Sequence, residues 1–468
     1  MVFSSMTFLF AFLPLTLLVY FAVPKKAKNL IIMISGLLFY AWGEPLYVLL
    51  MLLTIGIDYA SGLLMEKWDS DRKKRLIVLV VSVILNLAFL GVFKYTSFIV
   101  TNINNLFGTA IIDPELPLPI GISFYTFQAM SYVIDLYRRE IKVQRSFVSF
   151  AGYVTLFPQL IAGPIVRYSD VEKEIYDREI TYSKIGDGVS IFIRGMAKKV
   201  LLANTIGAVW TAVKAMDYGA LPAATAWIGI LCFTFQIYYD FSGYSDMAIG
   251  LGKMLGFNFP PNFDHPYLSK SITEFWRRWH MSLGGWFRSY VYIPLGGNRV
   301  SKLKHVRNIL VVWMLTGLWH GASWNFVFWG LYFGILLLVE KFFLKKWLEK
   351  LPAFFQWLYA FILVIFGWVL FEMPSIETIG GFLSAMFGLN GAGFADTQSV
   401  WLVTSNITVI VLSAICATNL PRKIFRAVHS RWMHAANGTR LAVEIALLFV
   451  CLCYLVTSTY NPFLYFNF

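Results

Sequence analysis

Apolar residues gather into runs separated by short polar stretches, near residues 7 to 23, 29 to 42, 46 to 65, 76 to 100, 119 to 137, 147 to 166, 188 to 210, 222 to 240, 309 to 340, 353 to 371, 401 to 419 and 441 to 459. A helix needs about 20 apolar residues to cross the hydrocarbon core of a bilayer, and most runs approach that length. The pattern predicts an all-α, polytopic membrane protein. Glycine or proline falls inside several runs, which leaves the number of full crossings open. No long polar gap divides the chain and no internal repeat is visible, so residues 1 to 468 read as one membrane domain. The first run has no preceding basic residue and no small-residue cleavage pattern, so it is expected to stay as a span.

Composition sharpens this reading. Hydrophobic residues make up 58% of the chain and charged residues 14%, against about 25% charged in a soluble globule; the mean hydropathy is +0.64. A net charge of +13 would suggest nucleic acid in a soluble protein. Here the basic residues sit in short loops, as cytoplasmic loops require, so no nucleic-acid partner is expected. Lys25, Lys26 and Lys28, then Arg72, Lys73, Lys74 and Arg75, then Arg138, Arg139, Lys142 and Arg145 alternate with loops near residues 43 to 45 and 101 to 119 that lack Lys and Arg. That alternation places the N-terminus outside. The last basic loop, Arg422 to Arg440, then places the tail, residues 461 to 468, outside as well. Cys232, Cys416, Cys451 and Cys453 lie in apolar segments without metal-ligand spacing, so no metal site is expected.

Residues 253 to 307 break the pattern. Nine Lys or Arg there face only Asp264 and Glu274, and Phe275, Trp276, Trp279, Trp286, Phe287 and Tyr290 interleave with them. Basic and aromatic residues mixed in this way predict cytoplasmic helices lying at the membrane interface. The following run, Ile309 to Val339, has Arg307 before it and Lys341, Lys345 and Lys346 after it, so the charge rule puts both ends in the cytoplasm. A hairpin of two short helices turning near Gly317 and Gly321 satisfies the rule.

Within that hairpin lies His320, a titratable residue at membrane depth and therefore a candidate functional residue. Trp319 and Asn325 offer indole and amide donors beside it to an oxygen developing charge. A neutral imidazole there would serve as a general base; the plainer alternative is a core histidine bonded to a neighbouring helix. His280 follows another tryptophan, and Trp276, Arg277 and Arg278 beside it suit a phosphate- and adenine-bearing donor, although such a cluster also describes an ordinary interfacial helix. Asp240, in the polar stretch Gln236 to Asp246, must be paired or wet. It lies either in a capped helix end or on the wall of a donor channel. Gln159 sits in Phe157-Pro-Gln-Leu-Ile-Ala-Gly-Pro164, which has the Pro and Gly of a broken helix. The aromatic tail Phe463-Leu-Tyr-Phe-Asn-Phe468 reads on composition as an interfacial anchor.

Taken together, Pro158-Gln-Leu-Ile-Ala-Gly-Pro164, Gln236-Ile-Tyr-Tyr-Asp-Phe-Ser-Gly-Tyr-Ser-Asp-Met247, Phe275-Trp-Arg-Arg-Trp-His-Met-Ser-Leu283, Tyr292-Ile-Pro-Leu-Gly-Gly-Asn298 and Gly317-Leu-Trp-His-Gly321 resemble, in order, the motifs of the membrane-bound O-acyltransferase family. The resemblance covers most of the chain and is strongest to the bacterial branch that acetylates polysaccharides. It implies a helical fold around a tunnel, in the bacterial cytoplasmic membrane, with the catalytic histidine at His320 and the second signature histidine at His280. It also implies acyl transfer from a cytoplasmic thioester, acetyl-CoA as donor substrate with no bound cofactor, to an acceptor outside. The tail resembles the aromatic tyrosine motif of this branch, which makes Tyr465 a candidate acyl carrier. The partners implied are an extracytoplasmic serine-histidine (SGNH-type) acetyltransferase or esterase and an envelope glycan. The related teichoic-acid branch implies an alternative, D-alanyl transfer from an acyl carrier protein. A proton-coupled transporter using His320 and Asp240 is the third reading, and the inverted repeats it calls for are not visible.

Overall fold

A computed structural model describes residues 1 to 431, 433 to 457 and Leu464, and the described residues form helices with no β-strand. Among them six helices are long and apolar enough to cross a membrane: Val48–Lys67, Arg72–Phe107, Trp324–Leu348, Ala353–Glu372, Thr397–Cys416 and Asn437–Thr457. Several of the other apolar runs fold as shorter helices, such as Lys28–Ala41 with 14 residues and Ile122–Tyr137 with 16. At 1.5 Å per residue these reach only about 21 to 24 Å, less than a bilayer core of about 30 Å. The protein is a multi-pass, all-helical membrane protein. The contacts sort the chain into two compact units, Met1–Phe192 with Tyr244–Pro260, and Ile193–Gly243 with Pro261–Phe468.

In the first unit, α1 (Val48–Lys67) and α2 (Arg72–Phe107) are joined by a short turn in which Asp71 accepts the backbone N–H groups of Lys73 and Lys74 at 3.1 Å. That cap satisfies two of the donors a helix start leaves open. Helix α2 runs past its apolar stretch into the loop expected at residues 101 to 119 and stops at Gly108, whose φ of +64° is the left-handed conformation that ends helices. Basic Arg75 is also structural. Its Nη2 donates to the carbonyls of Leu136 and Tyr137 at 2.9 and 3.2 Å, at the C-terminus of α3 (Ile122–Tyr137), where a cation complements the helix dipole. The buried carboxylate of Asp58 on α1 accepts from Ser82 Oγ and Asn86 Nδ2 of α2. Motif 157 to 164 breaks as expected, into the four-residue turn Phe157–Leu160 and a tight bend. A Cβ on Gly163 would lie 2.8 Å from the carbonyl oxygen of Pro158, so the bend excludes a side chain.

The second unit contains the aromatic core. Helix α4 (Ala223–Met254) contributes its residues 223 to 243, and the interfacial segment supplies α5 (Ile272–Arg278) and α6 (Met281–Phe287). Polar residues 236 to 246 lie inside α4, a helix of 32 residues, so the alternative of a capped helix end is corrected: Asp240 is paired with Lys199, while Gln236 Oε1 and Ser242 Oγ are buried without a hydrogen-bond partner among the described residues. Then come α7 (Lys302–His320) and α8 (Trp324–Leu348), the hairpin read from the charge rule. Its turn lies at residues 321 to 323, and α8 is 25 residues long rather than a short arm. Gly317 lies inside α7 as a contact point. A Cβ there would meet the carbonyl oxygen of Phe326 at 2.3 Å, and one on Gly330 would meet that of Trp313 at 2.4 Å. Small residues let membrane helices approach backbone to backbone. Gly317→Leu is therefore expected to cost about 3 kcal/mol through overpacking, seen as a lower unfolding temperature in detergent. Gly285→Ala, whose added Cβ meets nothing within 4 Å, should leave the melt unchanged.

Helices α9 (Ala353–Glu372), α10 (Thr397–Cys416) and α11 (Met433–Thr457) complete the second unit. The basic stretch expected as a loop at residues 422 to 440 is instead mostly helical, with Leu420–Arg431 forming its own exposed helix. Its 12 residues alternate basic and apolar groups strongly enough to be amphipathic.

Candidate active site

His320 is the last residue of α7, and the chain leaves the helix at Gly321 in extended conformation. The imidazole is buried, with ring contacts to Trp319 at 5.0 Å, to Trp329 of α8 at 5.0 Å and to Phe371 of α9 at 5.4 Å. A Cβ on Gly321 would lie 2.1 Å from the Phe326 ring, so a side chain at that position would displace that ring.

His280 reaches the same place from the interfacial segment. It stands between α5 and α6 with φ of +45°, a conformation uncommon for a residue with a side chain. Two backbone bonds hold that link, Met281 N–H to the Asn262 carbonyl and Asp264 N–H to the Arg278 carbonyl, each 3.0 Å. The ring packs edge-on against Phe241 of α4 at 4.7 Å and lies 5.8 Å from Trp319. Histidines 40 residues apart in the chain thus contact the same indole. His280 Nδ1 lies 3.1 Å from Asn262 Oδ1, and Nε2 is buried with no partner among the described residues. Outside the spans, burial lowers this imidazole to about 3 and keeps it neutral.

The other sequence candidates divide. Trp276, half-buried, packs into an aromatic wall, against Trp313 at 4.6 Å, Phe333 at 4.9 Å and Trp329 at 5.5 Å. Arg278 is engaged by Glu274 at 2.7 Å. Arg277 is exposed, with no hydrogen bond or ion pair among the described residues, and lines a cavity of about 660 Å³ with Lys270, Tyr292, Trp313, Lys341 and Lys345. Glu340, also on that cavity, is occupied in capping α5, accepting the N–H groups of Ile272 and Thr273 at 2.6 and 3.0 Å. Asn325 mainly braces the turn: Nδ2 donates to the Phe371 carbonyl at 3.1 Å and Oδ1 accepts from Ser323 Oγ, leaving one amide hydrogen. Gln159 belongs to the first unit, where Nε2 donates to the Tyr153 carbonyl at 2.7 Å and Oε1 is buried without a partner among the described residues.

Asp240 is buried and paired with Lys199, which the sequence reading missed. A lysine inside the apolar run 188 to 210 was itself a signal, since membrane-depth cations need partners. The second carboxylate oxygen of Asp240 accepts the backbone N–H of Leu464 at 2.8 Å. Leu464 also packs on the aromatic core that includes Trp329 and Phe371. Tyr465 lies outside the described residues. Asn262 was missed too, and nothing in its polar, proline-flanked stretch distinguishes it from a loop residue.

Two imidazoles against one indole, in the helical core of a multi-pass membrane protein, make a candidate histidine-centred site. The family model described as MBOAT, membrane-bound O-acyltransferase family, matches residues 135–380. A probable alginate O-acetylase of Azotobacter vinelandii is 36% identical over 501 aligned residues covering 100% of both chains. A peptidoglycan O-acetyltransferase of Helicobacter pylori is 32% identical, covering 100% of this chain and 98% of its own. The teichoic acid D-alanyltransferase of Bacillus subtilis is 29% identical over 51% of this chain and 62% of that protein. The chain belongs to the membrane-bound O-acyltransferase family and is an O-acyltransferase. Family membership sets the transporter reading aside.

Proposed function

We propose that this protein moves an acetyl group from acetyl-CoA in the bacterial cytoplasm to an extracytoplasmic glycan, first through the tail tyrosine and then through a serine-histidine partner enzyme. The observation that carries this reading is the seating of Leu464, whose N–H rests on Asp240 and whose side chain packs on the core enclosing His320. The residue before the candidate carrier is thus tied to the core of the second unit. The names of the full-length relatives, alginate and peptidoglycan O-acetylating enzymes, support acetyl and a glycan.

The chemistry is balanced without a further energy source. His320 takes the phenolic proton of Tyr465, which in water leaves only near pH ~10. The phenolate oxygen bonds to the thioester carbonyl, the C–S bond breaks, and the departing thiolate receives the proton from the imidazolium. The aryl ester then acylates a serine or sugar hydroxyl and returns phenol. On the donor side Lys270, Arg277, Lys341 and Lys345 line a cavity together with the carboxylates of Glu274, Glu340 and Glu349, and are the groups there that would meet the phosphates of coenzyme A. Trp313, on that cavity, is in ring contact with Trp276 and Trp329, and Trp329 with His320, so a line of aromatic rings links the cavity to the candidate base.

Membrane vesicles given acetyl-labelled acetyl-CoA should place label on the C-terminal peptide, and Tyr465→Phe should abolish it. Label that persists in this variant would overturn the acyl-tyrosine step. Label from a D-alanyl carrier protein with none from acetyl-CoA would transfer the assignment to D-alanylation.

A further inference from the structure

Asn262 makes an unusual set of contacts with the segment that carries His280. Its backbone carbonyl accepts Met281 N–H at 3.0 Å. Its side-chain Oδ1 lies 3.2 Å from Ser282 N, 2.9 Å from Ser282 Oγ and 3.1 Å from His280 Nδ1. Both Asn262 and His280 are almost fully buried, at 1% and 2% exposed.

The identity of that side-chain atom follows from its partners. A backbone N–H can only donate, so the atom facing Ser282 N must be the amide oxygen and not the nitrogen. An amide oxygen can only accept, so His280 Nδ1 must carry the hydrogen. In a neutral imidazole the other nitrogen then holds the lone pair. One asparagine therefore sets the tautomer of a histidine 18 residues away, and the other ring nitrogen, Nε2, is buried with no partner among the described residues.

We propose that Asn262 is a positioning residue for acyl transfer: it locks His280 as the Nδ1–H tautomer, so that Nε2 presents a permanent hydrogen-bond acceptor to an O–H or N–H of a reactant. This rests on the acyltransferase reading of the site. His280 in this role aligns a reactant's hydroxyl or amide hydrogen; it does not remove a proton. An acceptor at Nε2 needs a ring that is neutral at the working pH, and burial of His280 favours that form. Asn262 also caps the start of α6 through Ser282, so loss of activity alone would not separate positioning from folding.

The tautomer can be read without any activity. Nitrogen NMR of the full-length protein in detergent, with only histidine labelled and His280→Ala used for assignment, should show the hydrogen of His280 on Nδ1. Asn262→Asp retains an acceptor for both Nδ1 and Ser282, yet its carboxylate favours the imidazolium. The sign follows: the His280 pKa rises, neutral His280 is lost at higher pH, and the acidic limb of the acyl-transfer profile moves to higher pH. Asn262→Ala should release the tautomer and lower kcat about a hundredfold, by analogy with the large loss when a catalytic imidazole loses the group fixing its tautomer. Ser282→Ala, which removes only the hydroxyl contact, should leave both the tautomer and the pH profile unchanged. A hydrogen on Nε2 in the unaltered protein, or an Asn262→Asp profile that does not move, would overturn the proposal. If the tautomer is as stated but His280→Ala transfers acyl groups at the normal rate, the assigned function of His280 fails while the locking by Asn262 stands.

Discussion

Replacing His320 by glutamine is expected to lower acyl transfer by about a hundred- to ten-thousandfold, the usual contribution of a positioned general base, with the protein still inserted and folded. Glutamine keeps a polar side chain of similar reach among Trp319, Trp329 and Phe371 but cannot take a proton at neutral pH. Initial rates with labelled acetyl-CoA in vesicles give the effect on transfer, and a tryptophan-fluorescence melt in detergent gives the effect on folding. If the variant transfers at near the normal rate, His320 is not the base. If it fails to fold, the imidazole is a structural member of the aromatic core, and His320→Asn becomes the smaller test of the same point.

The second large effect is expected at Lys199. Its ion pair with Asp240 is 2% exposed on both sides, and removing one partner of a buried pair leaves a charge that neither water nor an opposite charge compensates. Lys199→Met should therefore destabilise the protein by about 3 to 5 kcal/mol, read as a large drop in the detergent melt. Adding Asp240→Leu should restore much of that loss, because no buried charge remains, while removing the acceptor for Leu464 N–H. The double variant thus separates two functions of Asp240. Recovered stability with lost tail acylation would show that the pair seats the tail. Full activity in the double variant would leave it a purely structural bridge between Lys198–Ala203 and α4.

Much of the site was legible because membrane burial makes polar residues costly. His320 and Asp240 stood out among apolar neighbours, and the need of Asp240 for a partner followed from its depth alone. Which partner it has did not follow: Lys199 precedes it by 41 residues, and only the packing of the π-helical turn Lys198–Ala203 within the second unit brings the two together. The charge rule likewise gave a hairpin around His320, because Arg307 and Lys341 flank it. It could not locate the turn, since both Gly317 and Gly321 looked permissive. Backbone contact decided that Gly317 would be a packing point and that the chain would turn after His320. Trp276, Arg278 and Asn325 show the reverse case. Residue type suggested ligand contacts, and the fold gives each side chain a protein neighbour as well: Trp313 for Trp276, the Phe371 carbonyl for Asn325 and, only four residues away, Glu274 for Arg278.

By itself, the sequence determined the all-helical membrane class, the family and its two histidines, because hydropathy and ordered motifs are local properties of the chain. Only the tertiary structure decided that both histidines meet Trp319, that Lys199 and Leu464 share Asp240, and that Asn262 governs His280. Each of these depends on a distance between residues that are not near neighbours in the chain. Periodicity reports which face of a helix is buried, but the identity of the group buried against it is fixed only when helices pack.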